Sequence, residues 1–339
     1  MVQFNGPHGK ISDDYLRNAR LNPPTEPTQT FEGKTVLVTG CNTGVGYEAA
    51  LRIAASGCNK LILGTRTVAK GEATKSKILG QVSSLESHSI EVFAVEYTSF
   101  LSVNKFVAAV KRSTQTLDCA ILSAGVVFPE QQLGEDGWDT AIKVNVLSTA
   151  LLAIELLPLL KATPSSVLEF VSSVSYCNVT SEDLAAILRE PSANTLQFFN
   201  DSHRWTKQRG YCEAKLLLML FIRQLATSLG GEEGRPGNFK SPIVLACCPG
   251  QCKTDLFRNF PSSARAYIDA IGARSAEEGS RTLVSGLLQG EKANGRMWVN
   301  DQFDDWSPGL SEKEWEALQQ RVWVDLLAAL REHSTDVSL

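Results

Sequence analysis

Residues 34–57 read KTVLVTGCNTGVGYEAALRIAASG. TVLVT (35–39) is a short β-branched apolar run of the kind that forms a strand. Gly40, Gly44 and Gly46 follow at once, and the segment then becomes the amphipathic stretch YEAALRIAASG. Glycines let the backbone turn tightly and approach an anion, and a helix N-terminus offers unpaired N–H groups and positive dipole to it. The same glycines could do no more than let a helix pack close against a strand. Position gives the motif its weight: it ends the first strand and opens the first helix.

Outward from this unit the pattern repeats. LILG (61–64), EVFAV (91–95), CAILS (119–123), VLEFVS (167–172) and PIVLACC (242–248) read as further strands. Helical stretches fall near 44–57, 67–84, 99–113, 136–161 and 211–229. Continuously apolar strands are buried on both faces, so the alternation predicts a doubly wound α/β parallel sheet with right-handed crossovers. A single domain spans 33–339, preceded by a polar surface extension over 1–32 that carries NPPTEPT. Two stretches break the rhythm, 176–210 and 255–275, and connections that long are usually functional or disordered. A helix over 311–332 is expected to close the chain, with Leu318, Val322, Leu326 and Leu330 on one face.

Composition excludes several classes. The 339 residues carry a net charge of −4 with no basic stripe, which argues against nucleic acid or an anionic membrane surface. TALLAIELLPLL (149–160) is interrupted by Glu155 and Pro158, and LLLMLFI (216–222) is too short to span a bilayer. The N-terminus shows no apolar signal core, so a cytoplasmic location is expected. Eight cysteines and four histidines are scattered without ligand spacing, so no metal site is expected and the thiols read as free.

The second strand ends Gly64-Thr65-Arg66-Thr67. A carboxylate there would bind a ribose 2′-hydroxyl, whereas a guanidinium suits a 2′-phosphate, so NADP(H) is favoured over NAD(H). Arg66 could equally be an exposed residue opening a helix. Further on, YCEAK (211–215) sets Tyr211 and Lys215 one helical turn apart. A free phenol has a pKa of about 10, and a nearby ammonium would lower it toward neutrality, where acid–base work is efficient. The pair could also be an idle solvated couple. Asn145, inside AIKVNVLSTALLAIELL, is a poor helix former and needs a reason to be there.

TGCNTGVG (39–46), LSAG (122–125), Asn145 in KVNV, Ser173 in FVSSVS, YCEAK and PGQCKT (249–254) occur in this order. Together they resemble the short-chain dehydrogenase/reductase family over roughly residues 34–300. GRMWVN (295–300) and the RVW-containing terminal helix are similar to its retinol-dehydrogenase-like branch and to fungal biosynthetic members. The resemblance implies a Rossmann-type fold with a helical insertion near the substrate. It implies catalysis by Asn145, Ser173, Tyr211 and Lys215. Tyr211 would deliver the proton, Ser173 would orient the substrate oxygen, Lys215 would grip the nicotinamide ribose, and Asn145 would hold a relay water. For the cofactor it implies Gly40, Asn42, Thr43, Gly44, Val45, Gly46, Arg66, Tyr97, Thr98, Ser123, Ala124 and Gly125, with Tyr211, Lys215, Pro249, Gly250, Cys252 and Thr254.

Two positions depart from the family pattern. Leu122 and Ser123 replace paired asparagines, and Tyr97 stands where an aspartate would meet the adenine; it would stack there or simply pack. Ser123 would hold the ribose region less firmly. The resemblance also implies a homodimer built through the helices at 136–161 and 211–229.

For the substrate, Val127, Phe128, Ser175, Phe199 and Trp205 are candidates to wall a pocket for a large, partly apolar molecule. Phe198, Phe199 and Trp205 could instead be the insertion's own small core. The leading expectation is NADPH-dependent reduction of a carbonyl, possessing a place in secondary metabolism by resemblance. A redox-neutral isomerase or dehydratase would keep the same cofactor, and a non-catalytic NADP-binding regulator would keep the fold alone.

Overall fold

A computed structural model describes residues 19–207, 209–230, 242–263, 266, 270, 273–304 and 310–334. Eight strands form one sheet: β1 (Thr35–Thr39), β2 (Lys60–Thr65), β3 (Ile90–Ala94), β4 (Cys119–Leu122), β5 (Val167–Val171), β6 (Ile243–Cys248), β7 (Met297–Val299) and β8 (Gln302–Asp304). Their order is β3-β2-β1-β4-β5-β6-β7-β8, parallel except for the β7–β8 pair. The winding reverses between β1 and β4, and in open α/β sheets the crevice beyond such a reversal is where ligands bind. Thr39 is in register with Gly64 on one side and Leu122 on the other, so the glycine turn emerges between Thr65 and Ser123.

All five residues of β1 are buried, and they serve two cores. Leu37 points into a core with α3 (Phe100–Ser113), α4 (Thr140–Lys161) and α7 (Gly210–Leu229). Val36 and Val38 point to the other face, against α1 (Gly44–Ala55), α2 (Val68–Gln81) and α8 (Ala276–Gly286). This two-sided burial is what the unbroken apolar strands required.

The long segment at 176–210 holds two short helices, α5 (Ser181–Arg189) and α6 (Thr195–Asn200). It leans on the terminal helix α9 (Glu312–Leu330), whose Arg321 donates to the carbonyls of Ile187, Glu190 and Ala193. The α9 face bearing Leu318, Val322, Leu326 and Leu330 is fully buried, and Trp323 stacks on Phe221 of α7 at 5.7 Å. Each such aliphatic side chain contributes about 2 kcal/mol by leaving water. The helices expected to build a dimer face are therefore covered within the chain: α4 packs under α3 and α7, and α9 lies over α7.

Of the segment expected as a surface extension, residues 1–18 lie outside the described residues. From Ala19 onward it runs over the surface, mostly exposed but anchored at a few points. Phe31 is buried, the Thr25 N–H donates to Asp301 Oδ2 at 2.7 Å, and Glu26 pairs with both Arg52 and Arg281. Parts of 255–275 also lie outside the described residues. Among the described residues one helix, Thr140–Lys161, is long and apolar enough to cross a membrane, and 94% of its apolar window is buried inside the fold. All eight cysteines are unpaired thiols and buried.

Candidate active site

Three glycines shape the floor of the site. Gly40 has φ +65°, and a Cβ there would lie 2.6 Å from the Ala124 nitrogen. Gly44 has φ +63° and faces the Thr254 side chain, while a Cβ on Gly46 would meet the Gly40 carbonyl oxygen at 2.5 Å. Side chains at these positions would push the turn away from β4 and from the loop after β6. Thr43 caps α1 without a side-chain hydrogen bond, and the first turn carries no acidic residue. The free N–H groups at that end suit an anion.

Above this floor lies one cavity of about 870 Å³. It runs from Arg66, Lys70 and Glu96 at one end to Tyr211, Leu256 and Phe257 at the other. Every residue expected to meet the cofactor lines it except Thr98, which is exposed and donates its N–H to Glu96 Oε1. Tyr97 borders the cavity and its phenol donates to Thr39 Oγ1 at 2.8 Å, which anchors the side chain to β1. Glu96, which sequence reasoning passed over, accepts an ion pair from Arg66 Nε at 3.0 Å.

Ser173, Tyr211 and Lys215 converge at the mouth of β5. Ser173 ends the strand and opens a short 3₁₀ turn, Val174–Asn178, accepting the Ser175 N–H at 3.1 Å. Its hydroxyl also lies beside the Tyr211 phenol and works to lower its pKa. One turn along α7, Lys215 Nζ donates to the Val171 carbonyl at 2.9 Å and sits 5.6 Å from the Tyr211 ring centroid. Burial lowers the Lys215 ammonium to about 8. Burial also dominates at Tyr211 and raises the phenol, the Cys248 sulfur adds to the rise, and the Ser173 hydroxyl offsets part of it. The expected lowering of the phenol by Lys215 is not among the effects acting on it, and burial keeps Tyr211 protonated.

Asn145 sits behind the cavity wall, 1% exposed, in a π-helical turn spanning Lys143–Ser148 inside α4. Such turns are often found at functional sites. The amide exchanges two hydrogen bonds with the Val126 backbone, each at 2.9 Å, and thereby fixes the wall that follows β4.

At the substrate end, Ser175 lines the cavity, but Val127, Phe128, Phe199 and Trp205 do not. Phe199 packs edge-on against Phe198 at 5.2 Å, Arg204 covers Phe198, and Trp205 abuts Gly210. Phe198 and Phe199 pack into the main core beneath the sheet's helices and not into the cavity wall. Val126, Val174, Leu256 and Phe257 supply the apolar wall instead. Val126 and Val174 lie in the segments that follow β4 and β5; Leu256 and Phe257 had no signal beyond lying in a long loop. Nothing in local sequence marked Arg274, which is buried and borders the cavity from the start of α8.

A family description for short chain dehydrogenases matches residues 34–182. The short-chain dehydrogenase sdnK of Sordaria araneosa is 51% identical over 97% of this chain and 99% of its own length. The chain belongs to the short-chain dehydrogenase family. A second family member, the short-chain dehydrogenase/reductase phmF of Phaeosphaeria nodorum, is 33% identical over 97% of this chain and 95% of its own. Among solved structures, levodione reductase superposes with a TM-score of 0.59 at 18% identity, covering 79% of this chain and 96% of that one. L-sorbose reductase from Gluconobacter frateurii, solved with NADPH and L-sorbose, gives 0.58 at 18% identity over 80% and 96%. At such identity these two structures speak to the dehydrogenase fold alone.

Proposed function

We propose that this short-chain dehydrogenase is an NADPH-dependent carbonyl reductase for a fairly large apolar ketone or aldehyde. The observation that carries the proposal is that one cavity joins the glycine turn to the Ser173 and Tyr211 side chains, with Lys215 one turn behind. The turn fits a dinucleotide: Gly40 and Gly46 hold it tight against the neighbouring backbone, and the α1 N-terminus, with no side-chain cap, lines the cavity. Gly40–Gly46 and the α1 N-terminus would hold the diphosphate, Ser123–Gly125 the central part, and Arg66 with Lys70 the 2′-phosphate. Bound there, the nicotinamide supplies a hydride to the carbonyl carbon.

The protein's own part is to place and protonate. Ser173 donates to the carbonyl oxygen and fixes its direction. Tyr211, held protonated by burial, gives its proton to the developing alkoxide as the C–H bond forms. Lys215, still cationic below about 8, stabilises the phenolate that is left. Asn145 braces Val126, and any relay water it holds uses the amide proton and lone pair left over from that pairing.

Cofactor choice turns on Arg66. Its pair with Glu96 is half exposed and weak, so a dianionic 2′-phosphate displaces the carboxylate. Apolar walls at Val126, Val174, Leu256 and Phe257 support an apolar substrate. Likeness to sdnK and phmF supports a place in fungal secondary metabolism, and eight unpaired thiols support a reducing, cytoplasmic setting. The test is direct binding followed by turnover. Purified protein should bind NADPH at least tenfold tighter than NADH (about 1.4 kcal/mol) and consume it with apolar ketones. Preference for NADH would overturn the cofactor assignment, and binding without consumption would overturn the enzyme.

A further inference from the structure

Arg274 lies one residue before the N-cap of α8 and is 4% exposed. Its backbone is stitched to the turn after β6: Arg274 N donates to Gln251 O, and Lys253 N donates to Arg274 O, both at 2.9 Å. The guanidinium lies flat against Gly250, where a Cβ would come within 3.3 Å of Cζ. Nη2 donates to the Ala19 carbonyl and to Asn300 Oδ1. Both acceptors are neutral. Among the described residues no carboxylate pairs with Arg274; nearby Glu278 accepts from Ser275 N and Oγ at 2.7 and 3.0 Å. Nε and Nη1 donate to no acceptor among the described residues, and the side chain borders the cavity.

A guanidinium cannot shed its charge, and a buried unpaired ion costs several kcal/mol, so the arrangement calls for an anion from outside the chain. Position says which. The loop that Arg274 pins carries Thr254, whose methyl touches Gly44, and Gly279 of α8 sits 3.2 Å (Cβ position) from the Val45 side chain. Arg274 thus stands on the packed rim of the α1 N-terminus, where the free N–H groups wait.

We propose that Arg274 is an oxyanion-binding residue of the dinucleotide site, its free N–H groups donating to the cofactor's diphosphate. The assignment rests on the nicotinamide-dinucleotide reading above. It gives Arg274 two tasks, since the same guanidinium holds the N-terminal segment at Ala19 against the cavity.

Direct titration of wild type, Arg274→Gln, Arg274→Lys and Asn300→Ala tests it. The ligands are NADPH, ADP-ribose, which keeps the diphosphate without the nicotinamide, and adenosine 2′-monophosphate, which lacks the diphosphate. Arg274→Gln should weaken NADPH and ADP-ribose about tenfold or more, as loss of a charge-assisted bond demands, and flatten the salt dependence of both. Adenosine 2′-monophosphate should be unaffected. Arg274→Lys should recover part of the loss, and Asn300→Ala, which loosens the anchor alone, should leave ADP-ribose binding intact. Should Arg274→Gln fail to fold, weakened ADP-ribose binding by Arg274→Lys decides the matter in the same sense. Equal ADP-ribose affinity in the folded Arg274 variants overturns the proposal; a change confined to KM for a carboxylate-bearing ketone assigns Arg274 to substrate instead. A wild type that binds neither NADPH nor ADP-ribose removes the dinucleotide reading itself.

Discussion

Tyr211 and Lys215 are both pushed by burial toward their neutral forms, and that shared environment makes their roles separable by pH. Tyr211 stays protonated across the working range, so Tyr211→Phe should cut carbonyl reduction about a thousandfold while NADPH affinity is unchanged. Near-normal turnover in that variant would show the proton comes from elsewhere. Lys215 titrates near 8, so reduction should decline as pH rises through about 8, where the ammonium is lost. A pH profile flat between 7 and 10 would contradict the assignment. The stability linkage has the opposite sign. Unfolded Lys215 binds its proton up to the ordinary lysine value of 10.5 and folded Lys215 only to about 8, so in that window stability from this group rises with pH. At this scale Ser173, Tyr211 and Lys215 were legible because fixed spacing on a strand end and a helix brings them together. Glu96 and Arg274 were not, because their partners, Arg66, Ala19 and Asn300, lie far away in sequence.

The glycine turn is the element that most constrains cofactor binding. Gly46→Ala would put a methyl 2.5 Å from the Gly40 carbonyl, a backbone atom that cannot step aside. Calorimetry should show a loss of about 1–3 kcal/mol, and NADPH binding should fall with it; an unchanged Kd would mean the turn does not meet the cofactor. Element types were legible from period and punctuation, with edges shifted by a few residues, as in α2, expected over 67–84 and found at Val68–Gln81. The three-residue strands β7 and β8 were too short to signal themselves. Asn145 was legible as an oddity in a helix, but the π turn around it and its tertiary pairing with Val126 were not, since no local pattern announces either. The insertion's aromatics looked equally suited to core or pocket, and only packing separates those outcomes.

At the scale of the molecule, the doubly wound sheet followed from alternation alone, because strands buried on both faces admit few other architectures. What sequence could not show is which surface the last helix covers. Trp323 stacked on Phe221 closes the α7 face inside one chain, so sedimentation at micromolar concentration should give a 36.9 kDa monomer. A stable dimer at that concentration would mean a different face mediates assembly or α9 lifts away. The central claim is hydride delivery to a carbonyl carbon in a cavity where Tyr211 supplies the proton. Its most direct test is NADPH deuterated at the transferable position, incubated with the enzyme and an apolar bicyclic ketone such as a decalone, with the product read by mass spectrometry. Deuterium on the carbinol carbon with wild type, and none with Tyr211→Phe, is the predicted result. Product formed without deuterium, or with the label undiminished in Tyr211→Phe, would contradict it.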